Sequence, residues 1–419
     1  MTDKGELIFM IQYKRLQDQS FISFPAEKQN GSPYPVVCGL IMTKNQKDHI
    51  ANAIVSALNL CDVVELVDTG STDGTPEFVK KMFPEVSIHK VCWIENYGEM
   101  RNRCLKYATG DWVVSIDSDE IVEDSPSKES FHQFLRFLRV SNPDGPIICS
   151  IRDRLSDRPN FIRQNQIFTR SNQLFYFGYV HEELRAEKGF EPVFIDTNIE
   201  FVNKGTSFDE VVKFDKIGRY GELLLKNLAI EPHNPRWAAL TSQTMVDMKL
   251  ISEEKFIQLT KESLLINPEN PITVDNVAIN PVTQMLLNHY FKILLRQRDT
   301  TGAMRVANIG SQLFPYDVNY FVYQVSIQAA EISKAYERLL QAALNQADKY
   351  RLHSEKVQED SQGGIQALLL TIFKLLIQTH HYQYATEVLK EIDDPWLLEQ
   401  IKGDVEFLHK QFLKTSDKD

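Results

Sequence analysis

Three short stretches combine residue types that do chemistry with spacings that aim them at one place. Asp117-Ser118-Asp119 closes the apolar run 112–116. Alternate side chains of an extended chain share a face, so Asp117 and Asp119 point the same way and Ser118 points opposite. Two carboxylates aimed together repel unless a cation sits between them. Hard divalent ions such as Mg²⁺ or Mn²⁺ take carboxylate oxygens and keep positions for phosphate oxygens. At the carboxyl end of a parallel strand, where open α/β sheets bind ligands, such an ion would act as a Lewis acid on a diphosphate leaving group. The plain alternative is a solvated acidic turn, to which Glu120 and Glu123 would belong.

The second stretch, Asp68-Thr69-Gly70-Ser71-Thr72-Asp73-Gly74-Thr75, follows the apolar run 63–67. Its glycines permit tight turns close to a ligand, and Asp68 can accept hydrogen bonds from a base or ribose. A plain strand-to-helix turn with polar caps would use the same residues. The Gly-Lys-Ser/Thr ending of a P-loop is absent. The third stretch, Asn96-Tyr97-Gly98-Glu99-Met100-Arg101-Asn102, opens a helix. The planar fork of Arg101 suits a base or a phosphate; a surface arginine is the other reading.

The elements that must position these stretches alternate. Buried strands are expected at 36–42, 63–67, 86–91 and 112–116. Helices between them place Ile50, Ile54, Val55 and Leu58 on one face, then Met100, Cys104, Leu105 and Ala108, then Phe131, Phe134, Leu135 and Leu138. Thr75 is expected to cap one of them, with Pro76 at the first helical position. Strand–helix alternation implies a mostly parallel sheet covered on both faces. Strands at 147–151, 166–168, 174–177 and 193–201 lack long helices between them and suggest a smaller antiparallel layer of the same domain. Ser207-Phe208-Asp209-Glu210 is a capping box that opens a helical region. There LKNLAIEPHNP (225–235) and KESLLINPENP (261–271) echo one another, with a third echo at 311–315, as in a tetratricopeptide-like stack. The expected division is a short, helical leader over 1–35, an α/β domain over 36–206, a helical domain over 207–413 and a frayed tail over 414–419. Trp237 and Trp396 fall in helical stretches and are read as core.

The 419 residues can bury a full core, and 43 % hydrophobic with 25 % charged residues is an ordinary globular composition. A net charge of −11 disfavours broad capture of nucleic acid or an anionic membrane, while leaving room for a local basic groove. The start lacks the basic-then-apolar order of a signal peptide, and the longest apolar candidate, 367–377, carries Lys374. A cytoplasmic protein with no membrane partner is expected. Five cysteines without metal spacing read as buried thiols.

Taken in order, strand–DxGSTDGT–helix, NYGxxRN and strand–DSD resemble the family 2 glycosyltransferases with the GT-A fold, over about 35–203. That resemblance implies a uridine diphosphate sugar whose uracil end meets Thr43 and Asp68. Arg101 and Asn102 would lie nearby, Asp117 on the ribose or metal, and Asp119 as main ligand of Mg²⁺ or Mn²⁺. Phe177-Gly178-Tyr179-Val180-His181-Glu182-Glu183 and Glu231-Pro232-x-Asn234-Pro235-Arg236-Trp237 extend the likeness to the SunS-type peptide S-glycosyltransferases of glycocin bacteriocins. These also join a GT-A domain to helical repeats. Asn203-Lys204-Gly205 stands where a His-x-Gly would be expected, so no third metal ligand is carried over. The resemblance implies inverting transfer of a hexose such as glucose to a Cys or Ser of a precursor peptide, and a homodimer through the helical half. Glu182 would serve as base and His181 on metal or phosphate; a loop merely tied to the helical domain is the structural alternative. Rival readings are a cell-envelope or lipopolysaccharide transferase and an inactive helical-repeat scaffold.

Overall fold

The computed structural model describes residues 10–18, 20–24, 34–123, 126–155, 161–204, 216–353, 364–408 and 410. The chain divides into two compact units, Met1–Leu259 and Thr260–Asp419.

Four parallel strands form the centre of the first unit: β3 (Val37–Thr43), β4 (Val63–Asp68), β5 (Ser87–Lys90) and β6 (Trp112–Asp117). β3 and β6 are buried almost throughout because helices cover both faces, so each reads as a continuous apolar run. Helix α1 (Ile50–Leu60) buries Ile50, Ala53, Ile54, Ala57 and Leu60, a stripe at helical spacing. Val55, expected on that stripe, faces solvent at 47 % exposure because it lies nearly opposite the centre of it. α2 (Thr75–Met82) starts from Gly74 at φ 83°, not from a Thr75 cap; the Thr75 hydroxyl donates to Asp73 instead, at 2.6 Å. α3 (Tyr97–Leu105) is capped by Asn96 and α4 (Lys128–Ser141) by Ser127, whose side chains accept from Glu99 N and Ser130 N. Phe131, Phe134, Leu135 and Leu138 of α4 are buried as expected.

The remaining strands are β7 (Glu120–Glu123), β8 (Ile147–Leu155), β9 (Phe161–Thr169), β10 (Leu174–Phe177), β11 (Glu183–Ala186) and β12 (Val193–Asn203). They do not build a separate layer. β8, β9 and β12 widen the main sheet, whose order ends β12-β8-β9-β6-β3-β4-β5, with β12 and β8 parallel and β9 antiparallel to β6. Only β10 and β11 form a two-stranded sheet of their own. A parallel core carrying antiparallel strands beyond β6 is the GT-A arrangement.

The leader is not helical where it is described. β1 (Gln12–Arg15) pairs with β12, and β2 (Ile22–Ser23) pairs with β1. Ile11, Tyr13 and Phe24 lie on the α4 side, where Tyr13 and Phe24 meet Phe134 and Phe137 at centroid distances of 5.4 to 5.6 Å. Four of the cysteines are buried and Cys92 is exposed; none is paired.

Helices α5 (Lys216–Ile230), α6 (Pro235–Leu240) and α7 (Gln243–Asp247) belong to the first unit, so the compact division falls well beyond residue 206. The capping box at 207–210 and the tail at 414–419 lie outside the described residues. α8 (Glu253–Leu264) carries the chain into the second unit. That unit holds α9 (Thr283–Arg296), α10 (Thr300–Leu313), α11 (Val318–Leu352), α12 (Gly364–Gln378), α13 (Tyr382–Leu389), α14 (Pro395–Gln400) and α15 (Lys402–Leu408). The echoed segments end α5, α8 and α10, each followed by a proline turn. α11 then runs 35 residues unbroken, where a repeat of that length would hold two helices. Trp237 is fully buried, as read from sequence. Trp396 is 82 % exposed, because it stands on the outer side of the six-residue α14. Among the described residues no helix is long and apolar enough to cross a membrane.

Candidate active site

A cleft of about 330 Å³ opens at the carboxyl ends of β3 and β6. Residues 42–46 and Thr69 form one side, Arg101 and 117–119 another, and Trp93, Tyr97, Arg219 and Tyr220 a third. The two aspartates picked from sequence thus share one cavity, with Ser118 turned largely inward at 9 % exposure.

Arg101 is the hub. Its Nη2 donates to Asp117 Oδ1 at 2.9 Å, Nη1 to Ser115 Oγ at 3.2 Å and Nε to Glu182 Oε1 at 2.5 Å. One planar fork therefore ties Asp117 to Glu182. Burial opposes its charge, but Asp117 and Glu182 prevail and hold its pKa well above the usual value.

Behind Asp117 the acids crowd. Glu120 is not part of a solvated turn: it is fully buried, accepts from Asp117 N at 2.8 Å and from Gln166 Nε2 at 3.0 Å. Burial, Asp117 and Asp153 raise its pKa well above the carboxylate range. Asp153, 2 % exposed, is pushed up to about 6 by burial and by Asp117, with Asp119 adding and Gln164 opposing. Among the described residues no three His, Cys, Asp or Glu side chains converge as a metal cage. Asp117, paired with Arg101, and Asp119 are the two carboxylates that line the cleft beside the buried Glu120 and Asp153. This suits a divalent ion that takes its other oxygens from a ligand and water.

Thr43 lines the cleft with its hydroxyl buried and without a hydrogen-bond partner. A buried unmatched hydroxyl in a cavity wall calls for a ligand atom. Asp68 sits behind the wall at 3 % exposure, and its carboxylate accepts from Gly70 N and Ser71 N, shaping its own turn. Asn45 laces that turn to the end of β3, accepting from Thr72 N at 2.8 Å and donating its own N–H to Ser71 Oγ at 2.9 Å. Asn102 also points away from the cleft: its amide clamps Tyr176 by donating to the carbonyl at 2.9 Å and accepting from the N–H at 2.7 Å.

The loop between β10 and β11 brings in His181 and Glu182. It is held through its main chain. Tyr97 N and Gly98 N donate to Tyr179 O and Gly178 O, Asn227 bonds Tyr179 N and Val180 O, and Arg236 donates to His181 O. Gly98 and Gly178 are required here. A Cβ on Gly98 would stand 2.6 Å from Gly178 O, and Gly178 has φ 115° against the Trp237 ring. His181, at φ 52°, sets its ring edge-on to Tyr220 at 5.9 Å. Burial of the ring lowers its pKa, with Glu182 opposing and Arg236 adding, which favours the neutral form. Solvent contact at its outer edge limits the size of that effect.

Glu231, from the second quoted motif, anchors this region. It takes both Arg185 Nη atoms at 2.8 and 2.9 Å, Asn234 Nδ2 at 2.9 Å and Trp237 Nε1 at 2.8 Å. Arg185 above all holds its pKa down, to about 2. A depressed carboxylate stabilises fully above its unfolded pKa, about 4.3, and loses that contribution as pH falls through about 2. Glu231→Gln is expected to cost about 1–2 kcal/mol at pH 7, after allowance for solvent screening. The gap to wild type should close between about pH 4.3 and 2; equal melting temperatures at pH 7 would refute the anchor role.

The aromatic side of the cleft was not foreseen. Trp93 meets Tyr97 edge-on at 4.9 Å, Tyr97 meets Tyr220 at 5.8 Å, and Lys44 and Arg219 lie over Trp93, both at 5.5 Å. Glu95 fixes Arg219 through two 3.0 Å bonds and accepts from Trp93 Nε1 at 2.9 Å. The tryptophan standing just before the NYGEMRN stretch was the available signal; Arg219 and Tyr220 carry none.

Residues 40–197, the part of the chain that carries the parallel core and the Asp117/Asp119 cleft, match the model of Glycosyl transferase family 2. Over 266 residues the chain is 24 % identical to the SPbeta prophage-derived glycosyltransferase SunS of Bacillus subtilis, a match that covers 63 % of this chain and 61 % of the relative. The chain thus spans about three-fifths of that relative's length. It is also 34 % identical over 84 residues to an uncharacterized glycosyltransferase of Rickettsia conorii, covering 20 % of this chain and 29 % of the other. The crystal structure of S. aureus TarS 1–349 aligns at a TM-score of 0.35 and 13 % identity, over 66 % of this chain and 91 % of that one.

Proposed function

We propose that the chain is an inverting, metal-dependent glycosyltransferase. It would move a hexose, such as glucose, from a uridine diphosphate sugar to a Cys or Ser side chain of a precursor peptide. The observation that carries this reading is the Arg101 fork, which joins the Asp117 end of the cleft to the His181/Glu182 loop. Asp117 and Asp119 would hold Mg²⁺ or Mn²⁺, whose contribution when bound is to neutralise the leaving diphosphate. Thr43 offers its unmatched hydroxyl to the nucleotide, while Asp68 and Asn102 act by shaping the walls. On the acceptor side, neutral His181 is the better proton acceptor, since Glu182 is ion-paired to Arg101. An acceptor thiol, with a pKa of about 8.5, needs little help.

The test is mass spectrometry of Cys- and Ser-containing peptides incubated with a panel of nucleotide sugars, with and without EDTA. One hexose added per site in the metal-replete samples is expected, and much less with His181→Ala. No transfer and no sugar hydrolysis under any condition would leave the scaffold reading; full activity of the variant would remove His181 as base.

The reading includes a second copy of the chain. On α11, Val318, Val325, Ile332 and Leu339 recur every seven residues at 71, 45, 57 and 56 % exposure, the spacing of a helix-pairing seam. Light scattering should return twice the monomer mass, and Ile332→Glu with Leu339→Glu should halve it. A monomeric wild type would end this part.

A further inference from the structure

The ladder sets Arg152 of β8 directly opposite Arg163 of β9. Like charges facing one another across a ladder destabilise it. Both guanidinium groups lie over the same two rings: Arg152 is 5.8 Å from Phe21 and 5.1 Å from Phe161, and Arg163 is 5.2 and 5.6 Å from them. Neighbouring cations are already matched, Arg154 by Glu123 and Glu200 and Lys14 by Asp196 at 3.6 Å. Arg163 donates to Thr197 O at 2.6 Å. Arg152 is different. Its Nε is buried with no hydrogen-bond partner, and among the described residues no carboxylate pairs with it. Burial pulls the Arg163 pKa down, with Arg152 adding and Asp196 opposing. In a chain of net charge −11, two cations have been brought together rather than dispersed.

The pair also faces the right way. Val113 of β6 lies opposite Phe168, which lies opposite Ile148 of β8. Ser115 and Asp117 continue the face of Val113, and Ser150 and Arg152 that of Ile148. The pair thus shares the sheet face of Asp117, two strands away, about 10 Å laterally.

We propose that Arg152 and Arg163, framed by Phe21 and Phe161, dock a carboxylate side chain from an acidic, aromatic-containing stretch of the acceptor polypeptide. Guanidinium forks match a planar carboxylate. Phe161, 45 % exposed, offers apolar contact that a bare inorganic anion would not use. The link to an acceptor rests on the transferase reading; the charge site does not.

The test is fluorescence anisotropy, without donor, using a labelled peptide bearing Glu-Glu-Phe-Glu and its Gln-Gln-Phe-Gln counterpart. Wild type should prefer the acidic peptide, lose it with rising salt, and keep it against excess inorganic phosphate. Arg152→Gln should weaken binding at least about tenfold, the effect of losing a charge-assisted pair, and Phe161→Ala should weaken it as well. Because Arg152 faces the like charge of Arg163 and its Nε finds no partner among the described residues, Arg152→Gln should melt no lower than wild type. Equal binding of the two peptides, displacement by phosphate, wild-type affinity in either variant, or a lowered melting temperature for Arg152→Gln would each overturn the proposal. A protein that transfers no sugar can still pass this test, and an active one can fail it.

Discussion

Arg101→Lys is expected to cut sugar transfer by about a hundred- to a thousandfold while leaving the protein folded. The guanidinium reaches Glu182, Ser115 and Asp117 through three different nitrogens. An ammonium keeps the charge but has one nitrogen on a flexible stem, so it serves one partner at a time. The two carboxylates then lose their common reference, and a displacement of about 1 Å at reacting groups costs on the order of a hundredfold. Retained charge keeps both acids from being stranded, so the melting temperature should change little. Steady-state kinetics on donor and acceptor, beside a thermal melt, check both halves. Activity within about threefold of wild type would show that the fork positions nothing that matters.

Asp119→Ala should have two effects of opposite sign. Transfer should fall by about a thousandfold or more, the several kcal/mol that a bound divalent ion supplies to a departing diphosphate. The metal-free protein should meanwhile melt about a degree or two higher, because one of four crowded acids is gone. The pH window follows from Asp153. A carboxylate with a raised pKa favours the fold below its unfolded value, about 3.9. It loses that contribution as pH rises through about 6. The thermal gain should therefore appear above pH 6 and vanish below about pH 4. Manganese should raise the wild-type melting temperature and leave the variant unmoved. A variant that transfers sugar normally, or that still responds to manganese, would contradict the ligand assignment.

The parts of the fold that sequence made visible are those whose burial is continuous or strictly periodic. β3 and β6 were legible because strands covered on both faces contain little but apolar residues. Asp117 and Asp119 were legible as a short local motif closing an apolar run, although β6 ends at Asp117 and a turn, not strand alternation, brings Asp119 to the same cavity. β1 was not: Gln12 and Lys14 interrupt it, and it joins the main sheet by pairing with β12, over 180 residues on. Glu120 read as solvated because its neighbours are acidic, whereas its burial is set by Gln166 on a distant strand. Arg219 reaches the cleft through Glu95, a separation of 124 residues that no local pattern records. Asp68 and Asn102 were found by their motif, but only coordinates show that they hold walls and do not line the cavity.

Five hydrogen bonds from Tyr97, Gly98, Asn227 and Arg236 fix the β10–β11 loop by its amides and carbonyls, and Arg101 grips one of its side chains, that of Glu182. Shape and chemical identity are thereby uncoupled at this edge of the cleft. Tyr179 can be exchanged for other residues without dismantling the turn that presents it, whereas Gly98 and Gly178 cannot. Position 179 is where the chemistry of this loop can be rewritten without losing its shape, and a designer would begin there.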